Sequence, residues 1–309
     1  MNISAKDVKQ LKEMTNCGMM DCKRALQESN GDVDAAVKYL REKGLAKAAK
    51  KAGRIAAEGL VACKVDEAKK VGVMVEVNSE TDFAAKTDDF KAFVELVAQT
   101  VIDNDVADVD ALKEVNAAGT DEKLGDLLTS KIATIGENIQ IRRFAKLTGD
   151  GLYSYVHNSG GTIFGSIGTL VKVSADDFGS EVADCAKGLL LHITSMNPEF
   201  ITKDDMPQSV IDAEKDTQMN ILQKENAESD KPKPQNVLDN IMNGRMNKFF
   251  AESCLMTQES VTNPSVTIEK FIENVGKNVK LIEFVRFEKG EGIAKKEENF
   301  ADEVANMIG

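Results

Sequence analysis

Apolar residues recur at helical spacing from the start of the chain. Val8, Leu11 and Met14 form one stripe, with Ser4 placed to cap it and Asp7 three residues on. A break at Thr15-Asn16-Cys17-Gly18 precedes a second helix through Ala25 and Leu26. Asn30-Gly31-Asp32 turns the chain, and Asp32 or Asp34 can open a third helix. That helix buries Val33, Ala36, Val37 and Leu40, and Gly44 marks its expected stop. Residues 43–54 then carry five basic side chains and no acid, which reads as a solvated linker helix or as a phosphate-binding patch.

Beyond the linker the period changes from helical to alternating, and it does so twice. Gly59-Leu60-Val61 opens a strand that returns at Gly72-Val73-Met74-Val75-Glu76-Val77. Gly151-Leu152-Tyr153 opens another that returns at Gly168-Thr169-Leu170-Val171-Lys172-Val173. An acidic turn follows each pair, Ser79-Glu80-Thr81-Asp82-Phe83 and Ala175-Asp176-Asp177-Phe178. Each turn leads into an apolar helix, through Phe90, Phe93, Val94 and Val97 or through Val182, Ala186, Leu189 and Leu190. Two copies of hairpin plus helix predict two related α+β subdomains, each a small antiparallel sheet covered by helices. Short helices fill residues 103–138, and Asn138–Phe144 alternates like a strand joining the second sheet.

Pro207 can start a long helix, Lys231-Pro232-Lys233-Pro234 interrupts, and Leu238, Ile241, Met242, Met246 and Phe249 stripe a second. Two helices joined by a Pro-rich turn predict an antiparallel hairpin, an arm. A helix near Ile268–Val275, a strand at Leu281–Phe287 and a final helix bearing Phe300, Val304 and Met307 complete the pattern. The boundaries are a three-helix module at 1–45, a basic linker at 46–58 and a first core subdomain at 59–140. A second core subdomain spans 141–206 and returns at 252–288, with the arm at 207–251 and a C-terminal helical module at 289–309.

Composition narrows the function. The 309 residues include 39 basic and 51 acidic side chains, a net charge of −12 that repels phosphate backbones and makes direct nucleic-acid binding a poor expectation. No apolar run spans a membrane, and the first residues lack a signal core, so a soluble, cytoplasmic protein is expected. Five cysteines without CxxC spacing argue against a zinc site or a disulfide framework. With only His157 and His192 available, nucleophilic and metal-dependent catalysis have few pieces to draw on, and neither enzyme activity, cofactor nor metal is expected.

Three segments carry candidate chemistry. Gly160-Gly161-Thr162-Ile163-Phe164-Gly165-Ser166 is a broken phosphate loop: Ser166 stands where a Lys is needed, and the glycines lie beside a hairpin rather than before a helix. Thr81-Asp82-Phe83 has two readings. Thr81 or Asp82 caps a helix while Phe83 tucks into the local core, or Phe83 protrudes beside Asp82 as a wedge for a partner's apolar pocket. Met19 and Met20, adjacent at a helix start, point to different sides, so a small module cannot bury both; an exposed pair suits a partner surface.

These residues also carry a resemblance. Thr15-Asn16-Cys17-Gly18-Met19-Met20-Asp21-Cys22-Lys23-Arg24-Ala25-Leu26 resembles the N-terminal signature of the bacterial translation elongation factor Ts family, and Glu76–Lys86 resembles its second signature. Ile135–Arg143, Gly244-Arg245-Met246 and Arg286–Ile293 are similar to further family segments, in order along the chain. The resemblance implies a ubiquitin-associated-like three-helix module, two related core subdomains, an arm and a C-terminal module. It implies a guanine nucleotide exchange factor for elongation factor Tu, with Thr81, Asp82 and Phe83 pushing into the GTPase near its Mg²⁺ and phosphate site. Leu11, Met19, Met20 and the C-terminal helix would dock on the G domain, and the second subdomain, through His157, on another domain of that partner. The arm could support a homodimer. The loops 115–130 and 158–164 look longer than is usual for the family, and Asp176-Asp177-Phe178 lacks the Thr-Asp-Phe order, so no wedge role is implied there. The contrasting expectation is a chaperone-like interaction scaffold without exchange activity.

Overall fold

The computed structural model describes residues 3–15, 17–229 and 231–294. It opens with three helices, α1 (Ala5–Thr15), α2 (Met19–Glu28) and α3 (Val33–Lys51). Ser4 and Asp7 exchange backbone hydrogen bonds as a capping pair, and Asp32 caps α3 by accepting from the Ala35 N–H. Val8, Leu11, Cys22, Ala25, Leu26, Ala36 and Leu40 close the module's core. Met14, on the expected stripe, is exposed instead.

A hairpin of β1 (Glu58–Asp66) and β2 (Val71–Ser79) follows, then α4 (Asp82–Lys86), α5 (Asp88–Asp103), α6 (Val109–Glu114), α7 (Leu124–Ile135) and β3 (Gln140–Thr148). The expected helix stop at Gly44 is not used, and α3 continues to Lys51. Gly44 is buried against α7, where a Cβ would stand 3.6 Å from Thr129 and 3.8 Å from Ala133. The missing side chain therefore serves close helix packing rather than a cap. Within the basic stretch, Lys43 and Lys47 both bond the Asp21 carboxylate, at 2.9 and 3.1 Å.

The chain goes on through β4 (Leu152–His157), β5 (Phe164–Gly165), β6 (Ile167–Ser174), α8 (Ser180–Met196), α9 (Gln208–Ala227), α10 (Gln235–Ser253), α11 (Ile268–Glu273) and β7 (Lys280–Glu288). Two small sheets result, one in the order β3-β2-β1-β5 and one in the order β4-β6-β7, so the fold is α+β as the alternating pattern implied. Valines of β2 pack on Phe90, Phe93, Val94 and Val97 of α5. Val171 and Val173 of β6 pack on Val182, Ala186, Leu189, Leu190 and Ile193 of α8.

One strand assignment needs correction. The alternating segment after Asn138 joins the first sheet, not the second: β3 pairs antiparallel with β2, from Val71 opposite Thr148 to Asn78 opposite Gln140. Ile139 and Ile141 enter the first core, and Arg142 and Arg143 both reach Glu76 on β2. Alternation specifies which side chains share a face, but not which strand edge receives them.

The described residues fall into two compact units. One draws on the described residues of 3–148, 156–168 and 287–294, the other on those of 149–155 and 169–286. In the second, α9 and α10 form the hairpin foreseen at the proline turn, closed by Asn226 accepting from the Lys233 N–H at 2.7 Å. Leu222, Met242 and Met246 are buried between the two helices. The anticipated helix through Phe300, Val304 and Met307 lies outside the described residues.

Candidate partner-docking site

The turn from β2 into α4 is built to present one ring. Thr81 takes extended backbone and its hydroxyl accepts from the Ala84 N–H at 3.2 Å, capping the short helix. Ala84 and Ala85 bury the inner face of that helix, which leaves Phe83 pointing outward. Phe83 is 77% exposed, the largest value among the big apolar side chains described. The first of the two readings holds only in its cap: Thr81 caps, but Phe83 does not tuck into the core and protrudes as the second reading had it.

Asp82 stands beside the ring, half-exposed, 2.5 Å from Lys86 Nζ one turn on. That hydrogen bond holds the Asp82 carboxyl below its ordinary range, with Lys289 adding a weaker attraction. Asp82 is thus a carboxylate at neutral pH, next to an apolar ring with no shield.

The base of this turn is a set of carboxylates from two chain segments, Glu76 and Glu80 from β2 and its end and Glu137 from the end of α7. Glu80 accepts from the Asn138 N–H at 2.6 Å, and Glu137 accepts from the Thr81 N–H and hydroxyl at 3.0 and 2.6 Å. Glu76, fully buried in β2, accepts from Arg142 at 2.9 Å, Arg143 at 2.6 Å and the Gly290 N–H at 2.8 Å. Burial pushes the Glu76 carboxyl up, but the Gly290 N–H, the two guanidinium groups and Asn78 together pull it below the ordinary glutamate value. Gly290 allows this approach: its φ is +71°, and a Cβ there would stand 2.2 Å from the Ala57 carbonyl oxygen. Neither Glu76 nor Glu137 figured among the sequence-derived site residues. A lone carboxylate inside the apolar run Val73–Val77, matched by Arg142-Arg143 in another strand, was the available signal.

On the N-terminal module, Met19 is 48% and Met20 70% exposed at the start of α2; adjacency excluded burying both, and the fold leaves both outside. Leu11 requires correction as a docking residue. It is 0% exposed, enclosed by the module's three helices, so its side chain makes the core and offers a partner no surface. His157 is exposed at the end of β4, where its carbonyl accepts from the Ser166 N–H at 3.4 Å.

The second acidic turn is arranged differently. Asp176 accepts from Asn278 at 2.6 Å, and Lys277 pairs with Asp177 and Glu181. The Phe178 ring lies against Gly151, where a Cβ would come within 2.6 Å of it. The turn stays exposed all the same, with Phe178 at 44%, so what sets it apart from the first is the ring's contact with Gly151 and the pairing of its carboxylates with Lys277 and Asn278.

The glycine-rich segment 160–165 passes into β5 rather than into a helix, so no helix N-terminus is available there to hold phosphate. Burial raises the Cys22, Cys185 and Cys254 thiols, Cys185 to about 11, which keeps them protonated and unreactive. Among the described residues no group of three or more His, Cys, Asp or Glu could hold a metal ion. No described helix is long and apolar enough to cross a membrane.

These features define an α+β protein that displays large apolar side chains at its surface. The elongation factor TS family model matches residues 80–291. The chain is 43% identical over 310 residues to elongation factor Ts of Halothermothrix orenii, covering 100% of this chain and 99% of the relative. It is 46% identical over 307 residues to elongation factor Ts of Ruegeria pomeroyi, covering 99% and 98%. Against that of Clostridioides difficile it is 42% identical over 313 residues, covering 99% of each. The chain belongs to the elongation factor Ts family.

Proposed function

We propose that this chain is a guanine nucleotide exchange factor for elongation factor Tu, acting in the cytoplasm during translation elongation. It makes and breaks no bond; it shifts a binding equilibrium. A factor that prefers the nucleotide-free GTPase weakens nucleotide by the same ratio that nucleotide weakens the factor. Taking a site from 99% to 1% occupancy requires about 5.5 kcal/mol of such preference. Burying one phenyl ring supplies about 1.5–3 kcal/mol. Further surfaces must contribute the rest, and Met19 and Met20 are the exposed candidates on the N-terminal module.

The observation that carries this reading is the 77% exposure of Phe83 on a capped turn, with the Asp82 carboxylate at its side. The ring enters an apolar pocket of the GTPase, and the carboxylate brings negative charge toward its Mg²⁺ and phosphate site, where it competes with the nucleotide's own phosphates. His157 serves a second contact on the same partner.

The test is release of a fluorescent GDP from preloaded elongation factor Tu, followed by stopped flow with and without the chain. Acceleration that saturates with chain concentration supports the reading. A release rate equal to the intrinsic one overturns it in favour of a scaffold.

A further inference from the structure

The exposed ring sits on a helix of five residues, too short to hold its own shape. Phe83 is exposed and Asp82 is held only by Lys86 of the same short helix, so beyond the burial of Ala84 and Ala85 the direction of the ring depends on the residue before Asp82. Thr81 is that residue, and it is held from 56 positions away. Glu137 Oε2 accepts from the Thr81 N–H at 3.0 Å and Oε1 accepts from the Thr81 hydroxyl at 2.6 Å. With its one proton committed to Glu137, the hydroxyl turns a lone pair to the Ala84 N–H at 3.2 Å. The bond to Glu137 and the cap of α4 are therefore one continuous chain.

The neighbouring bonds run the opposite way and lock the register. Asn138 donates its backbone N–H to Glu80 at 2.6 Å and its side-chain amide to the Arg54 carbonyl at 2.7 Å. Glu137 and Asn138 follow directly on Gly136, the left-handed cap that ends α7 at φ +87°. A rigid helix end thus carries the acceptor pair to the turn.

We propose that Glu137 is a positioning residue for the Asp82–Phe83 pair, acting only through Thr81. Its carboxylate fixes the Thr81 backbone and hydroxyl together, and so fixes the first turn of α4 and the direction of Phe83. The assignment deepens the exchange reading and rests on it for its kinetic consequence, while its structural consequence is measurable in the free chain. Glutamine keeps one acceptor for the Thr81 N–H and can donate to the hydroxyl, so it is the conservative replacement; alanine removes both contacts.

The experiment uses the full chain as Glu137→Ala, Glu137→Gln, Phe83→Ala and the double variant Glu137→Ala/Phe83→Ala, each confirmed folded by circular dichroism. Hydrogen exchange at the Ala84 and Ala85 amides is read in the free chain. The maximal rate and half-saturating concentration are read in fluorescent-GDP release from elongation factor Tu. Loss of a cap predicts about fivefold faster exchange at Ala84 and about fivefold lower maximal rate for Glu137→Ala. The half-saturating concentration stays within about twofold, because the docking surfaces that set affinity are elsewhere. Glu137→Gln recovers most of both losses, and the double variant matches Phe83→Ala alone. Unchanged amide exchange in Glu137→Ala overturns the proposal, as does a double variant whose rate falls by the product of the single effects. If the unaltered chain fails to accelerate release, the exchange reading fails by itself, and amide exchange still decides whether Glu137 holds α4.

Discussion

Lys86 reaches back one turn to Asp82, its Nζ 2.5 Å from the carboxylate and 5.7 Å from the centroid of the Phe83 ring. In the free chain the charged member of the exposed pair is thus already partnered, by the residue that ends its own helix. Docking that uses the Asp82 charge must compete with this ion pair or carry it along.

Removing the pair exposes its effect on titration. In Lys86→Met the Asp82 carboxyl moves up, back toward the ordinary aspartate value of about 3.9. A carbon-detected NMR titration of the Asp82 carboxyl reads this, and an unmoved midpoint shows that Lys86 is not what depresses it.

Phe83→Ala separates function from fold. The ring is exposed, so the unfolding free energy changes by less than about 0.5 kcal/mol. Losing about 1.5–3 kcal/mol of ring burial in the complex slows maximal GDP release roughly tenfold to a hundredfold. Paired urea titrations and stopped-flow traces measure both, and a stable variant with undiminished release removes the wedge from the mechanism.

Glu76→Ala acts on the fold. It leaves Arg142, Arg143 and the Gly290 N–H without their shared acceptor, a loss of about 3 kcal/mol for a broken buried pair. Because the folded state depresses the Glu76 carboxyl, the unfolded chain binds the extra proton. The stabilisation is full above the unfolded glutamate value of about 4.3 and is lost as pH falls through it toward the folded value. Urea unfolding at pH 7 and pH 4 shows a steeper acid loss in the unaltered chain than in Glu76→Ala.

His192 sets a second pH dependence, in the other unit. Its Nδ1 accepts from the Val261 N–H at 3.2 Å, so Nε2 carries the proton that meets Gln258 Oε1 at 2.8 Å. Burial holds the imidazole below its ordinary value, with the Gln258 bond opposing it weakly. The unfolded state therefore takes up a proton first, and stability declines as pH drops below about 6.5, by up to about 1.4 kcal/mol per pH unit. Thermal unfolding between pH 5.5 and 7.5, windows chosen about that value, shows this slope in the unaltered chain, and His192→Gln lacks it.

Much of the architecture was legible from neighbours a few residues apart. Ser4, Asp32 and Thr81 each announce a helix start because a capping oxygen needs a donor only two or three residues on. The proline turn at 232–234 ends one arm helix and starts the next for the same local reason. That Met19 and Met20 could not both be buried was readable, because adjacent helix positions cannot share one buried face; that both lie outside was not. Gly44 misled because a glycine near a helix end has two uses, and only α7 pressed against it shows which applies.

By itself the chain's residue order determined the element types, the turns, the family and the exposed Phe83 as one of two alternatives. Folding in three dimensions decided between those alternatives, enclosed Leu11 while leaving Met14 outside, and delivered β3 to the edge of β2. It also gathered Glu76 with Arg142 and Gly290, and Glu137 with Thr81, across 66, 214 and 56 positions. Period and capping act over one or two turns, whereas edge choice and salt-bridge partners depend on which distant surfaces meet, and no short-range pattern encodes that.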